Sequence, residues 1–158
     1  MPFIRYLLSV LAVLVYIGSA ATGQQSSGPF VESDYAQFRG WGSGAIVGTV
    51  SGNLRPGAGD PINCNPATSY SKDFIERSTG GERLTPADPR VWTYHRQTVA
   101  DASGNFEFRG LPQGEYYVYT GIGWGLRGGY GIAVPAGAMA SERVTVRPGQ
   151  KTKVILNH

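Results

Sequence analysis

Few residues in this sequence are equipped for chemistry. It contains two histidines, His95 and His158, and a single cysteine, Cys64. Nucleophilic catalysis or a metal centre needs several such groups at defined spacing. The chain has no HExxH, no cysteine cluster, and no serine or cysteine tied to His95 by a recognised spacing. His95, between Tyr94 and Arg96, reads as a half-exposed strand histidine. Cys64 cannot form an internal disulfide, and it shares strand parity with Ile62 and Pro66, so it reads as a buried thiol packing as a small hydrophobe. Asp101, Ser103 and Asn105 suggest a calcium loop, but the distal glutamate is missing and turn formation explains the aspartate. Gly121-Ile122-Gly123 starts like a dinucleotide fingerprint, without the later glycines or the helix. These residues assign no catalytic group, metal ligand or cofactor.

Aromatic side chains offer more. Tyr117 and Tyr119 alternate with Tyr116 and Val118, which puts them on the reverse face of one strand, and Trp124 follows on a glycine-rich background. Tyr117, Tyr119 and Trp124 are the candidate binding residues, because an exposed aromatic stripe can stack a sugar ring or bury against another protein. The competing expectation is that Ser69 to Arg90, carrying Tyr70 and Phe74, folds back over them as a third layer to bury its own apolar residues.

The elements around these residues are short. With 23 glycines, 10 prolines and only 16% charged residues, the composition suits brief strands and frequent turns. Ala45–Val50, Pro61–Asn65, Val91–Ala100, Glu142–Val146 and Lys151–Leu156 read as strands. The stretch from Thr98 to Gly121 reads as a β-hairpin around Asp101-Ala102-Ser103-Gly104, followed by another strand after Leu111-Pro112-Gln113-Gly114. Ser71 is positioned to cap a two-turn helix through Arg77 that ends at Gly80-Gly81, and Thr85-Pro86-Ala87-Asp88 carries the signals of a single helical turn. Ile132–Val134 is a further short strand. Alternation nominates a core of Ile46, Val50, Ile62, Cys64, Val99, Phe106, Phe108, Leu111, Tyr116, Val118, Val144, Val146, Val154 and Leu156.

Residues 1–21 have a short basic start at Arg5, an apolar run and small residues around Ala20, the pattern of a signal peptide; the run is short for a membrane span, although an uncleaved anchor is the alternative. Residues 22–43 read as a linker, with order expected only from about Trp41, although Phe30, Tyr35, Phe38 and Trp41 are many aromatics for a tether. Residues 44–158 form the domain, with an insertion at 69–90. The formal charge of +3 includes Arg5, and the other basic residues are scattered rather than interleaved with aromatics, so no nucleic-acid partner is expected.

The opening strand GAIVGTV, the second strand PINCNPAT, the turn-strand block TVADASGNFEFRGLPQGEYYV and the closing VTVRPGQKTKVIL together resemble a carboxypeptidase regulatory-like domain, the transthyretin-like or prealbumin-type module of many exported bacterial proteins. The resemblance covers about Gly44 to Leu156 and implies an all-β, antiparallel β-sandwich; the long, partly helical insertion is a departure from it. Among enzymes on related sandwiches, hydroxyisourate hydrolases end in Tyr-Arg-Gly-Ser where this chain ends VILNH, and intradiol dioxygenases need paired histidines that it lacks. The resulting expectation is a non-enzymatic, exported accessory or binding module of the cell envelope, periplasmic, cell-surface or secreted, mediating protein interaction or assembly. A carbohydrate-binding module using surface aromatics and a small transthyretin-like hydrolase built on His95 are the alternatives. The expected partner is an envelope protein or a glycan, with membrane contact only through an uncleaved N-terminal segment.

Overall fold

The computed structural model describes residues 28–51, 58–79, 88–121 and 139–157. Among the described residues seven strands make two sheets: β1 (Gly44–Ser51), β2 (Pro61–Pro66), β3 (Arg96–Val99), β4 (Asn105–Leu111), β5 (Gly114–Gly121), β6 (Met139–Val146) and β7 (Lys151–Asn157). The three-stranded sheet has the order β4-β1-β7 and the four-stranded sheet β3-β2-β5-β6. The all-β sandwich is as expected, with one difference in pairing: β7 runs parallel to β1, whereas the remaining pairs are antiparallel.

Alternating apolar residues fill the space between the sheets. Ile46, Val50, Ile62, Val118 and Leu156 are almost wholly buried, and Phe106 and Phe108 meet edge to face at 6.1 Å between centroids. Gly48 lets the sheets close, because a Cβ there would lie 2.4 Å from the Phe106 ring and 2.7 Å from Val154. Cys64 is buried as expected, and desolvation drives its thiol far above the ordinary range, so it is protonated and inert.

Two strand-level expectations are corrected. The turn at Asp101–Gly104 does not close a hairpin: β3 pairs with β2 in one sheet and β4 with β1 in the other, so the chain crosses the sandwich there, and it crosses back between β4 and β5. Alternation cannot separate the two cases, since Phe106 and Phe108 point at the core in both. The turn chemistry itself holds. Asp101 Oδ1 accepts from the Ser103 and Asn105 amides, each at 2.8 Å, and Gly104 has φ +81°. The second correction concerns β3. Pro89–Thr93 is a 3-10 helix capped by Asp88 rather than strand, and β3 has the opposite facing to that expected. Val99 is 61% exposed, while Tyr94 and Ala100 are buried and Arg96 shares the inward parity of Cys64. A short edge strand with a charge of inward parity resists further strand pairing.

Part of the expected linker packs into the core. Glu32–Phe38 is a 3-10 helix, and it lays Tyr35 and Phe38 into the end of the sandwich. Tyr35 stacks on Phe30 and tilts against Tyr94, both at 4.7 Å, and Phe38 meets Tyr116 edge on at 5.2 Å. Gly114 gives Phe38 its seat, since a Cβ there would sit 2.4 Å from the ring. Replacing Phe38 with Ala should therefore cost about 3–5 kcal/mol, the usual range for a buried phenylalanine. Urea denaturation of the Phe38→Ala chain measures this; a midpoint equal to wild type would mean that residues 28–43 are a tether after all.

Candidate functional site

The two outer faces of the sandwich differ in kind. On the four-stranded sheet, helix α1 (Ser69–Thr79) packs against β6 and sets Phe74 against Tyr119 of β5. It begins in a reciprocal cap: the Thr68 amide donates to Ser71 Oγ at 2.8 Å and the Ser71 amide to Thr68 Oγ1 at 3.3 Å. The helix starts earlier and runs longer than the expected Ser71–Arg77. Under it β2 is buried on both sides, so Asn63 and Asn65 are buried amides that must find partners. Asn65 Nδ2 donates to Tyr119 Oη at 3.1 Å, Asn65 Oδ1 pairs with His95 Nδ1 at 2.8 Å, and Asn63 Oδ1 accepts from Gln97 Nε2 at 3.0 Å. Asn63 Nδ2 has no acceptor among the described residues.

This arrangement decides most of the aromatic stripe. Tyr119 is 5% exposed beneath Phe74, with ring centroids 6.4 Å apart, so it is a roof-covered structural tyrosine, and its assignment as a surface stacking residue is corrected. Tyr117 is half-buried, in register with Asn65 and Arg143. Trp124, the strand expected at Ile132–Val134, the glycine-rich run from residue 122 and most of the helical turn expected at residues 85–88 lie outside the described residues.

His95 sits edge on to Trp92 at 5.1 Å and is held by the Asn65 amide. Burial, with a smaller push from Arg96, lowers its pKa from the ordinary 6.5 to about 4. The partner of the ring at Nδ1 is thus an amide and not a carboxylate. Among the described residues no three His, Cys, Asp or Glu side chains converge on a metal-sized site, and no helix is long and apolar enough to cross a membrane.

The outer face of the three-stranded sheet has no helix above it among the described residues. Cross-strand register sets Arg109, Ala45 and Lys151 in one row, Glu107, Val47 and Lys153 in the next, and Asn105, Thr49 and Ile155 in the third. An open groove of about 770 Å³ runs past Val47, Thr49, Asn105, Lys153 and Ile155 to Val99 on β3. At the Arg109 end, β4 carries an extra residue, Gly110, at φ +70°, and its amide carbonyl accepts from Gly42 N at 2.9 Å. Trp41 lies on this glycine. A Cβ at position 110 would be 2.4 Å from indole Cε3, yet the tryptophan is 84% exposed. One side of the indole is thus seated on backbone and the rest is open.

A solved structure from Pseudomonas aeruginosa has the same fold. That protein, which has been proposed to bind carbohydrate, is 28% identical in sequence with a TM-score of 0.65, over 83% of this chain and 99% of its own. A DUF3823 family protein from Parabacteroides merdae (TM-score 0.39) and a minor pilin from Streptococcus agalactiae (TM-score 0.38) are each 15% identical, and the matches span 44% of those chains. No protein-family model and no curated protein sequence matches the chain.

Sequence reasoning missed Trp41 as a candidate because it placed the tryptophan at the end of a tether. The signal was Arg-Gly-Trp-Gly-Ser-Gly immediately before the first strand, in which glycines on both sides leave an indole with little side-chain cover.

The buried face predicts a specific acid response. Because His95 binds its proton far less readily folded than unfolded, the unfolded chain takes up the proton first, and stability is fully present above pH 6.5 and falls as pH drops toward about 4. After discounting for the part of the ring still wetted, the loss should be on the order of 2 kcal/mol. His95→Gln should flatten this slope in urea titrations across that window; an unchanged slope would place the titration elsewhere.

Proposed function

We propose that this chain is an exported carbohydrate-binding module on a carboxypeptidase regulatory-like β-sandwich, with Trp41 as the stacking platform. The observation that carries this reading is the indole of Trp41, laid on Gly110 of β4 and 84% exposed, at one end of a sheet with no helix above it among the described residues. Sugar rings present C–H faces that pack on aromatic rings, and a platform anchored on backbone loses little freedom when they do. Support comes from the P. aeruginosa protein, whose length the match spans almost entirely. Residues 1–21 fit a signal peptide ahead of such a module and favour a periplasmic, cell-surface or secreted setting.

Protein interaction or assembly, the first expectation from sequence, drew support from the aromatics between Phe30 and Trp41. Phe30, Tyr35 and Phe38 are now occupied within the chain, and Arg90 covers Phe30 at 4.3 Å. Only Trp41 of that group faces outward, and a lone indole suits a sugar better than a protein partner. Nothing in this reading calls for catalysis.

A glycan array followed by fluorescence titration of the best ligand tests the proposal. Trp41→Ala should weaken binding at least about tenfold, ~1.4 kcal/mol, while leaving the fold intact. Tyr119→Phe should bind as wild type and cost only ~1 kcal/mol of stability through its bond to Asn65. Binding that survives loss of Trp41 but not of Tyr119 would return the site to the covered face.

A further inference from the structure

Building on the carbohydrate reading above, we propose that the ligand is a carboxylated glycan, a chain of uronic-acid type, held along the cation row of Arg109, Lys151 and Lys153. The inference rests on that reading and adds the charge of the ligand.

The face is not electrically mixed in the way its composition suggests. Glu107 lies low, with 26% of its side chain exposed, while Arg109 and Lys151 stand above it at 77% and 65%. Glu107 Oε2 accepts from Arg109 Nη2 at 2.6 Å, and Lys151 Nζ sits 3.2 Å from Oε1. Arg109 first and Lys151 second hold this carboxyl below the usual carboxylate range, so it stays ionised and engaged. One carboxylate cannot saturate eight N–H donors on a guanidinium and an ammonium, so both cations keep donors for a ligand.

Lys153, one row further on, has no ion-pair partner among the described residues. Asp101, the other acid beside the groove, is occupied by its own turn: Oδ1 takes the Ser103 and Asn105 amides, and Oδ2 takes Asn105 Nδ2 at 3.3 Å. The groove therefore offers one cation, Lys153, and apolar surface from Val47, Val99 and Ile155, with Glu107 and Asp101 engaged by neighbouring groups, and Arg109 and Lys151 stand one row beyond it on the same face. From Ala45 to Ser51 the face extends roughly 20 Å at the ordinary strand rise, long enough for several sugar rings in a line. A neutral glycan would cover Lys153 without compensating its charge. A uronate chain brings one carboxylate per ring to a row of cations while its C–H faces meet the apolar residues.

The test titrates the full chain with an oligogalacturonate, with its methyl ester, with a sulfated oligosaccharide and with oligothymidylate. The acid should bind about tenfold or more tightly than the ester, and its affinity should fall with added salt. The exposed pair Arg109→Gln with Lys153→Gln should remove roughly tenfold of the acid's affinity and narrow its advantage over the ester, whereas Trp41→Ala weakens both and keeps that advantage. Equal affinity for acid and ester overturns the charge inference and leaves the carbohydrate reading standing. Equal or tighter binding of the sulfated sugar or of oligothymidylate overturns it too, as a face that takes any polyanion. Binding of no glycan, neutral or charged, overturns both.

Discussion

The hydroxyls of Tyr35, Thr68 and Ser71 meet where β2 gives way to α1, and this buried knot determines which surfaces of the protein are available. Thr68 Oγ1 bonds Tyr35 Oη at 2.9 Å, and Ser71 Oγ reaches back to the Pro66 carbonyl at the end of β2. Each contact joins a different piece of chain: the N-terminal 3-10 segment, the strand and the helix. Because buried hydroxyls are costly without partners, none of the three pieces can leave without stranding the others. The knot pins α1 over the four-stranded sheet and Tyr35 into the end of the sandwich. With one face roofed and one end plugged, the face of the three-stranded sheet is the one left open among the described residues.

That division explains how much was legible in the sequence. Wherever a strand has one wet face and one dry face, alternation reads it correctly, as at Ile46 and Val50, Phe106 and Phe108, or Val154 and Leu156. It fails at β3, where Val99 looked like a core residue. An edge strand four residues long is held by one neighbour, and the parity of its fully buried partner, apolar toward the core and asparagine toward the helix, sets its facing. Nor could alternation distinguish a hairpin from a crossing between sheets, since the difference lies in the pairing partner and not in the facing.

The aromatics were harder for a related reason. A tyrosine on the outer parity of a strand is exposed only if nothing covers that sheet, and Tyr119 is covered by a helix nearly fifty residues earlier in the chain. Its hydroxyl gives it a place there that phenylalanine would lack, as the bond to Asn65 shows. Trp41 is the converse. Local composition suggested a tether, yet its neighbours at Tyr35 and Phe38 are locked in the core, so the indole extends from a fixed base. The expected insertion and the expected tether both proved to be packing elements, and the residue left over between them is the one with an open ring.

The contrast between the two faces is also a contrast in what polar groups are for. On the roofed sheet Asn65 is satisfied by Tyr119 and His95 and the Asn63 carbonyl by Gln97, bonds that fix register and, Asn63 Nδ2 aside, leave little for a ligand to gain. On the open sheet the polar groups are ionised and exposed, and their mutual pairing contributes little to stability at such exposure. Such an arrangement is poorly explained as a stabilising device. What Glu107 does achieve is orientation: a low-lying anion restrains the long side chains of Arg109 and Lys151, so that part of the entropy a ligand would otherwise have to remove is already lost in the free protein. Beside them Trp41 is restrained by backbone at Gly110. Charge and ring alike are held at the surface by contacts beneath them, and that is the condition under which weak individual contacts to a flexible chain add up to recognition.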